Sequence, residues 1–146
     1  MMNFNQRRIL FFRAICELVR QAAGKGIALL PFAYYRTMEE ELKNFIEHKS
    51  QIDPTKKATK HMLWLAMDFV IIKDGKAVWD RIPEYEILGQ IWENLGGRWG
   101  GSWVTLNDPY HFEYSDKMEV LYVHGNNWPY SSVDPGSDSG PEKVGG

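Results

Sequence analysis

A single cysteine among 146 residues, Cys16, excludes an internal disulfide and a cysteine-rich metal centre. It falls in the apolar stretch Ile9–Val19, where a free thiol is expected to be buried and inert. No uninterrupted apolar run approaches the ~18 residues that a membrane-spanning helix needs. Arg13, Glu17 and Arg20 interrupt the N-terminal stretch, and no small-residue cleavage site follows it, so no secretory leader is evident. The chain is therefore expected to be cytoplasmic as made. A surplus of one charge sign is also missing. Lys and Arg number 17 against 19 Asp and Glu, and the net charge of −2 gives no general pull toward nucleic acid or an anionic membrane. No internal repeat is present, and the length fits one domain, which buries roughly 68–70% of the surface its unfolded chain exposes.

What the chain does have is aromatic residues, 14% of the total, within an otherwise ordinary 44% hydrophobic and 25% charged composition. Apolar residues recur at helical spacing from Phe4 to Ala23 (Ile9, Phe12, Ile15, Cys16, Val19), and Gly24 and Gly26 end the pattern. Ile27 to Tyr35 reads as a buried strand, and Thr37 can cap a helix over residues 38–50 with Glu39 and Glu40 near its positive end. The run Glu39 to Glu41 reads most simply as a solvated helix face. Residues 51–60 form an exposed loop. Leu65 to Ile72 is an apolar, β-branched run, the turn Lys73 to Lys76 returns it through Ala77 to Trp79, and Pro83 opens a helix that closes at Asn94. GGRWGGSW, residues 96–103, is a glycine-rich loop, and Tyr110 to Tyr114 alternates as a strand. Residues 1–125 form the folded domain, and the Gly, Ser, Pro and Asp-rich segment 126–146 is expected to be a disordered tail.

Two clusters could carry chemistry. Strand alternation puts Asp68 on one face with Ala66, Val70 and Ile72, and Leu65, Met67, Phe69 and Ile71 on the other. A carboxylate in an apolar run needs a donor, a cation or a metal; a lysine or backbone amides would serve as well as a metal shared with His61. In Asp108-Pro109-Tyr110-His111-Phe112-Glu113, the same alternation places His111 and Glu113 on one face. That pattern admits a satisfied sheet histidine, or a metal ligand with a supporting Glu113 and Asp108 as general base. Together the clusters offer two imidazoles and a carboxylate, a set that holds catalytic zinc with an open fourth position. Such a metal polarises a carbonyl and lowers the pKa of water toward ~7. Non-haem iron uses a similar set. Arg36 suits bidentate contact with a carboxylate or polarised carbonyl, or equally an ion pair with Glu39 or Glu40. Trp99 and Trp103 either line a groove or pack. His48 and His124 read as surface or tail histidines.

The stretch Thr59-Lys60-His61-Met62-Leu63-Trp64-Leu65-Ala66-Met67-Asp68 resembles the pattern Ser-x-His-x-x-Gly-x-Ala-x-Asp of the D-alanyl-D-alanine carboxypeptidases and phage L-alanyl-D-glutamate endolysins. GGRWGGSWVTLNDPYHFEY resembles the family's second metal segment, with Asp108 three residues before His111 and Phe112-Glu113 after it. Tyr35-Arg36-Thr37 is similar to its Tyr-Arg-Ser/Thr segment. The resemblance spans roughly Ile27 to Tyr114. It implies zinc on His61, Asp68 and His111, general-base chemistry at Asp108, substrate or transition-state contact at Arg36, and a substrate hydrogen bond from Thr59; Trp99 is a substrate-groove candidate from its place on the glycine-rich loop alone. It also implies an α+β fold of the hedgehog/DD-peptidase type, a small antiparallel sheet carrying zinc and flanked by helices. Trp64 stands where the family has glycine, which is expected to change the local backbone path or fill part of the groove. The resemblance implies hydrolysis of peptidoglycan stem peptides, between L-Ala and D-Glu or at a terminal D-Ala. Such an enzyme would act on the wall after release or delivery. The related hedgehog signalling domains offer a rival reading, a zinc module that binds without catalysis.

Overall fold

The computed structural model describes residues 2–124, so the tail expected over 126–146 lies outside the described residues. The chain begins with α1 (Phe4–Gly24), opened by Asn3 in a capping box with Gln6, and Gly26 at φ +72° turns it into β1 (Ala28–Ala33). α2 (Met38–Ile46) follows, capped by Thr37 with Glu40 reciprocating. β2 (Ala66–Lys73) and β3 (Lys76–Val78) form the expected hairpin, and α3 (Pro83–Asn94) opens on proline. β4 (Arg98–Trp99), a 3-10 turn over Gly100–Ser102, β5 (His111–Glu113) and α4 (Asp116–His124) complete the described chain.

The sheet is antiparallel with strand order β1-β2-β5-β4, and β3 also pairs with β2. β2 is the spine. Its first half faces β5, with Asp68 opposite His111 and Ala66 opposite Glu113, while its second half takes β3. Alternation along β2 behaves as its sequence requires. Leu65, Met67, Phe69 and Ile71 enter the core with α1 and α3, and Asp68 stays on the other face. Tyr85 of α3 ties the hairpin down by donating its hydroxyl to Val78 O at 2.7 Å and accepting Ile71 N–H at 3.0 Å. The fold is the α+β arrangement expected.

Several readings of the chain need correction. β1, read as a buried strand, lies at the end of the strand order and leaves Leu30 and Phe32 exposed. α1 carries two apolar stripes, and the one it buries is Leu10, Phe11, Ala14, Ile15, Leu18 and Ala22. Ile9, Phe12 and Val19 are exposed, and Cys16 with them, so the thiol is not a buried one. β4 forms inside the segment read as a loop, because two residues are too short to show alternation; Trp92 Nε1 anchors the pairing by reaching both Arg98 O and Glu113 O at 3.1 Å. α4 was not foreseen. It is held through Glu119, which accepts from Met2 N–H at 2.7 Å and Tyr114 hydroxyl at 3.2 Å. The acidic run at the start of α2 is not wholly solvated, since Glu41 is 2% exposed. Among the described residues no helix is long and apolar enough to cross a membrane.

Candidate metal site

His61 sits at the start of a tight turn. Thr59 Oγ1 accepts Met62 N–H at 3.3 Å, and Leu65 N–H reaches back to Lys60 O at 2.9 Å. This turn delivers the imidazole beneath the end of β1, where Tyr34 O lies 2.7 Å from His61 Nδ1. A carbonyl only accepts, so Nδ1 carries the proton and Nε2 of the neutral ring presents a lone pair. β5 delivers His111 across from Asp68. Its Nε2 lies 2.9 Å from Glu113 Oε2, which in the neutral ring puts the proton there and leaves Nδ1 as a lone pair. Arg98 supports the same glutamate from 3.3 Å.

His61 Nε2, His111 Nδ1 and Asp68 Oδ1 converge. They are separated by 3.2 Å between the rings, 3.3 Å from His61 to Asp68 and 3.0 Å from His111 to Asp68. Ligands about 2.0–2.2 Å from a tetrahedral zinc are separated by roughly 3.3 Å, so the triangle has the dimensions of one face of a zinc site. Its chemistry agrees. Three lone pairs aimed at one point, on residues 3%, 3% and 7% exposed, need a cation or a proton between them. Burial alone would push the His111 imidazole down, but hydrogen bonds to Asp68 and Glu113 outweigh it and carry it to about 9. In the metal-free protein that proton fills the gap. Burial would likewise raise Asp68, yet the two histidines hold it well below the usual carboxylate range.

Asp68 divides its oxygens between metal site and scaffold. Oδ2 accepts from Arg36 Nη2 at 2.7 Å, and Arg36 Nη1 is 3.4 Å from the buried Glu41. The partners of Arg36 are therefore Asp68 and Glu41, not Glu39 or Glu40. Two of the five guanidinium N–H groups are engaged this way, which leaves donors for a substrate oxygen.

Asp108 lies beside this cluster. Its N–H donates to Gly100 O at 3.0 Å, its carbonyl accepts His111 N–H at 3.3 Å, and its Oδ1 accepts Tyr110 N–H at 3.1 Å. Burial raises its carboxyl above the ordinary value, and the negative Asp68 adds to the rise. A carboxylate that is hard to ionise, next to three converging lone pairs, is suited to taking a proton and giving it back. Gly100 permits this approach: a Cβ there would meet Asp108 O at 2.4 Å.

Trp99 does not line a groove. It is 5% exposed, its Nε1 donates to Pro109 O at 2.9 Å, and its ring is clasped so closely by Gly89 and Gly101 that a Cβ on either would meet it at 2.1 Å. The indole beside the cluster is Trp103, whose ring centroid lies 5.0 Å from that of His111. Thr59 is 5% exposed and its hydroxyl serves the turn rather than a groove. Trp64 keeps a glycine-like path, with φ +60°, and its ring stacks on Tyr35. Sequence reasoning missed Tyr34, whose contribution is a backbone carbonyl and leaves no side-chain signal. It also missed Glu41, which resembles its solvated neighbours, and Arg98.

Residues 53–114 match the family model described as D-alanyl-D-alanine carboxypeptidase. His61, Asp68, Asp108, His111 and Glu113 lie within the match, and Arg36 lies before it. Among solved structures, the L-Ala D-Glu endopeptidase ChiX of Serratia marcescens is similar at 21% identity. The similarity covers 75% of this chain and 80% of that one with a TM-score of 0.60, a likeness of fold. No curated protein sequence matches the chain significantly.

Proposed function

We propose that this chain, whose residues 53–114 match the family model described as D-alanyl-D-alanine carboxypeptidase, is a peptidase of that kind and a zinc enzyme that cuts peptidoglycan stem peptides between L-Ala and D-Glu. Hydrolysis of a peptide bond in the bacterial wall is the coarser activity, and the family-model match supports it. The observation that carries the zinc reading is the convergence of His61 Nε2, Asp68 Oδ1 and His111 Nδ1 at zinc-ligand spacing. A zinc ion held by these residues supplies the positive charge that polarises the scissile carbonyl and acidifies the attacking water. Asp108 takes the proton of that water on its carboxylate and returns it to the leaving nitrogen. The N–H donors of Arg36 that Asp68 and Glu41 leave unengaged would stabilise the oxygen that gains charge as the carbonyl becomes tetrahedral. Glu113 and Arg98 keep the His111 tautomer that presents Nδ1. A nearby base supports an enzyme over a zinc module that only binds, since binding has no use for a buried carboxylate there.

The test is mass-spectrometric product analysis on purified peptidoglycan, with zinc content measured in parallel, for the wild type, His111→Ala and Asp108→Ala. Stoichiometric zinc in the wild type and a new L-Ala carboxyl terminus, lost in both variants, is the expected result. Release of D-Ala alone moves the activity to the carboxypeptidase named by the family description. Bound zinc with no wall bond cut leaves the binding module.

A further inference from the structure

Trp64 adopts φ +60°, a region that L residues other than Asn and Asp rarely occupy and that is unfavourable for a bulky side chain. The strain is held by neighbours on the metal-site side of the turn. Trp64 N–H lies 3.3 Å from the carbonyl of His61, and Tyr34, whose own carbonyl fixes His61 Nδ1, reaches Trp64 O at 3.4 Å. The indole stacks on Tyr35 with centroids 4.5 Å apart and planes within 12°, and Tyr34 meets it edge-on at 5.1 Å. Yet the stack is not core: Trp64 is 38% and Tyr35 45% exposed. A strained backbone that carries a wide aromatic surface to the rim of a metal site, without burying it, serves a ligand better than it serves stability.

The space next to it is shaped for one. Tyr35 and Arg36 also line a groove of about 410 Å³ between the end of β1 and α2, within the volume range of small-ligand sites. Glu40, Lys43 and Asn44 of α2 line the same groove, so it offers polar groups together with the aromatic Tyr34 and Tyr35. Aromatic surface and hydrogen-bonding groups in one groove are the combination that binds a pyranose, whose C–H face packs on rings while its hydroxyl and acetamido groups take hydrogen bonds. In peptidoglycan a sugar hangs close to the stem peptide's first bonds. With the L-Ala carbonyl at the metal, the lactyl-linked ring lies about two residue lengths away, ~7 Å along an extended chain.

We propose that the Tyr35–Trp64 stack and the groove beside it form a subsite for the N-acetylated muramyl sugar, so that the enzyme reads the glycan attachment as well as the peptide. The inference rests on the peptidase reading above, and its test separates the two. Sugar contact is read by saturation-transfer NMR on muramyl dipeptide with zinc-loaded wild type, Trp64→Gly and Trp64→Phe. Hydrolysis is read as kcat/KM for a soluble muramyl peptide against the same stem peptide without sugar.

Wild type is expected to saturate the sugar ring protons and to favour the muramyl substrate by roughly five- to tenfold, the worth of one good aromatic contact. Trp64→Gly, which relieves the backbone but removes the indole, loses both effects, and Trp64→Phe keeps part of each. Cleavage with equal kcat/KM for the two substrates in wild type, or a preference undiminished in Trp64→Gly, overturns the sugar subsite and leaves the peptidase standing. Sugar saturation that depends on Trp64, with neither substrate cut, overturns the peptidase and leaves the subsite.

Discussion

Arg36 binds one oxygen of Asp68 at 2.7 Å and leaves the other facing His111 and His61. The carboxylate is thereby aimed before any metal arrives, and its buried charge is compensated on the side away from the ligands. Glu41 completes the clamp by holding the other guanidinium branch.

Removing that clamp should weaken the metal site without removing a ligand. Arg36→Ala is expected to lower zinc affinity about 10–100-fold, as loss of a group that orients a ligand does. Arg36→Lys recovers only part, since one ammonium cannot span Asp68 and Glu41 as the fork does. Competition titration with a chromophoric chelator measures both, and unchanged affinity in Arg36→Ala would remove Arg36 from the orienting role.

Asp108→Asn keeps the shape of the side chain and removes its basicity. Wall hydrolysis is expected to fall about 10²–10⁴-fold with zinc content unchanged. In metal-free protein, the Asp108 carboxyl should titrate above the ordinary 3.8, because burial and Asp68 both disfavour its charge. Carbon-13 NMR reads that midpoint. Full activity in Asp108→Asn would eliminate it as the base.

Metal and proton compete for one position, which fixes the sign of the pH effect. His111 is raised from 6.5 to about 9 in the metal-free fold, so its protonated form contributes stability that is complete below about 6.5 and is lost as pH rises through about 9. Chelator-treated protein should show a falling Tm across this window. Zinc binding should strengthen over the same rise, since the proton must leave, and at 100 times its Kd zinc should add about 2.7 kcal/mol. A Tm that climbs with pH in the chelated protein contradicts the assignment.

Gly100→Ala tests how closely β5 and the turn before it must fit. The new Cβ meets the backbone Asp108 O at 2.4 Å and His111 Cβ, the root of a metal-site side chain, at 3.0 Å. A loss of about 1–3 kcal/mol in stability is expected, with a clear drop in kcat/KM. Gly24→Ala, at the end of α1 with nothing within 4 Å, is the contrasting change and should be neutral or stabilising. If the two variants behave alike by calorimetry and activity, the close approach at Gly100 has no role.

Much of this was legible in the chain because its causes are local. A strand has period two, so Asp68 had to leave the face of Met67 and Phe69, and His111 had to share a side with Glu113. Thr37 with Glu40 and Pro83 mark helix starts through bonds made within one turn. The spacing of His61, Asp68, Asp108 and His111 resembles a metal site for the same reason, since short turns and paired strands set it. Tertiary structure decided what depends on partners far along the chain. α1 offers two apolar stripes, and only packing into the core against α3 and the sheet selects Leu10, Phe11 and Leu18 over Ile9, Phe12 and Cys16. Trp99 and Trp103 are four residues apart in one glycine-rich segment, yet Gly89 of α3 gives one of them a slot in the core and leaves the other beside His111. The tautomers of His61 and His111 follow from Tyr34 O and Glu113 Oε2, and the aim of Asp68 from Arg36, 32 positions earlier. A sequence specifies which groups can bind a metal; where their lone pairs point is set by hydrogen bonds that exist only once the sheet has closed.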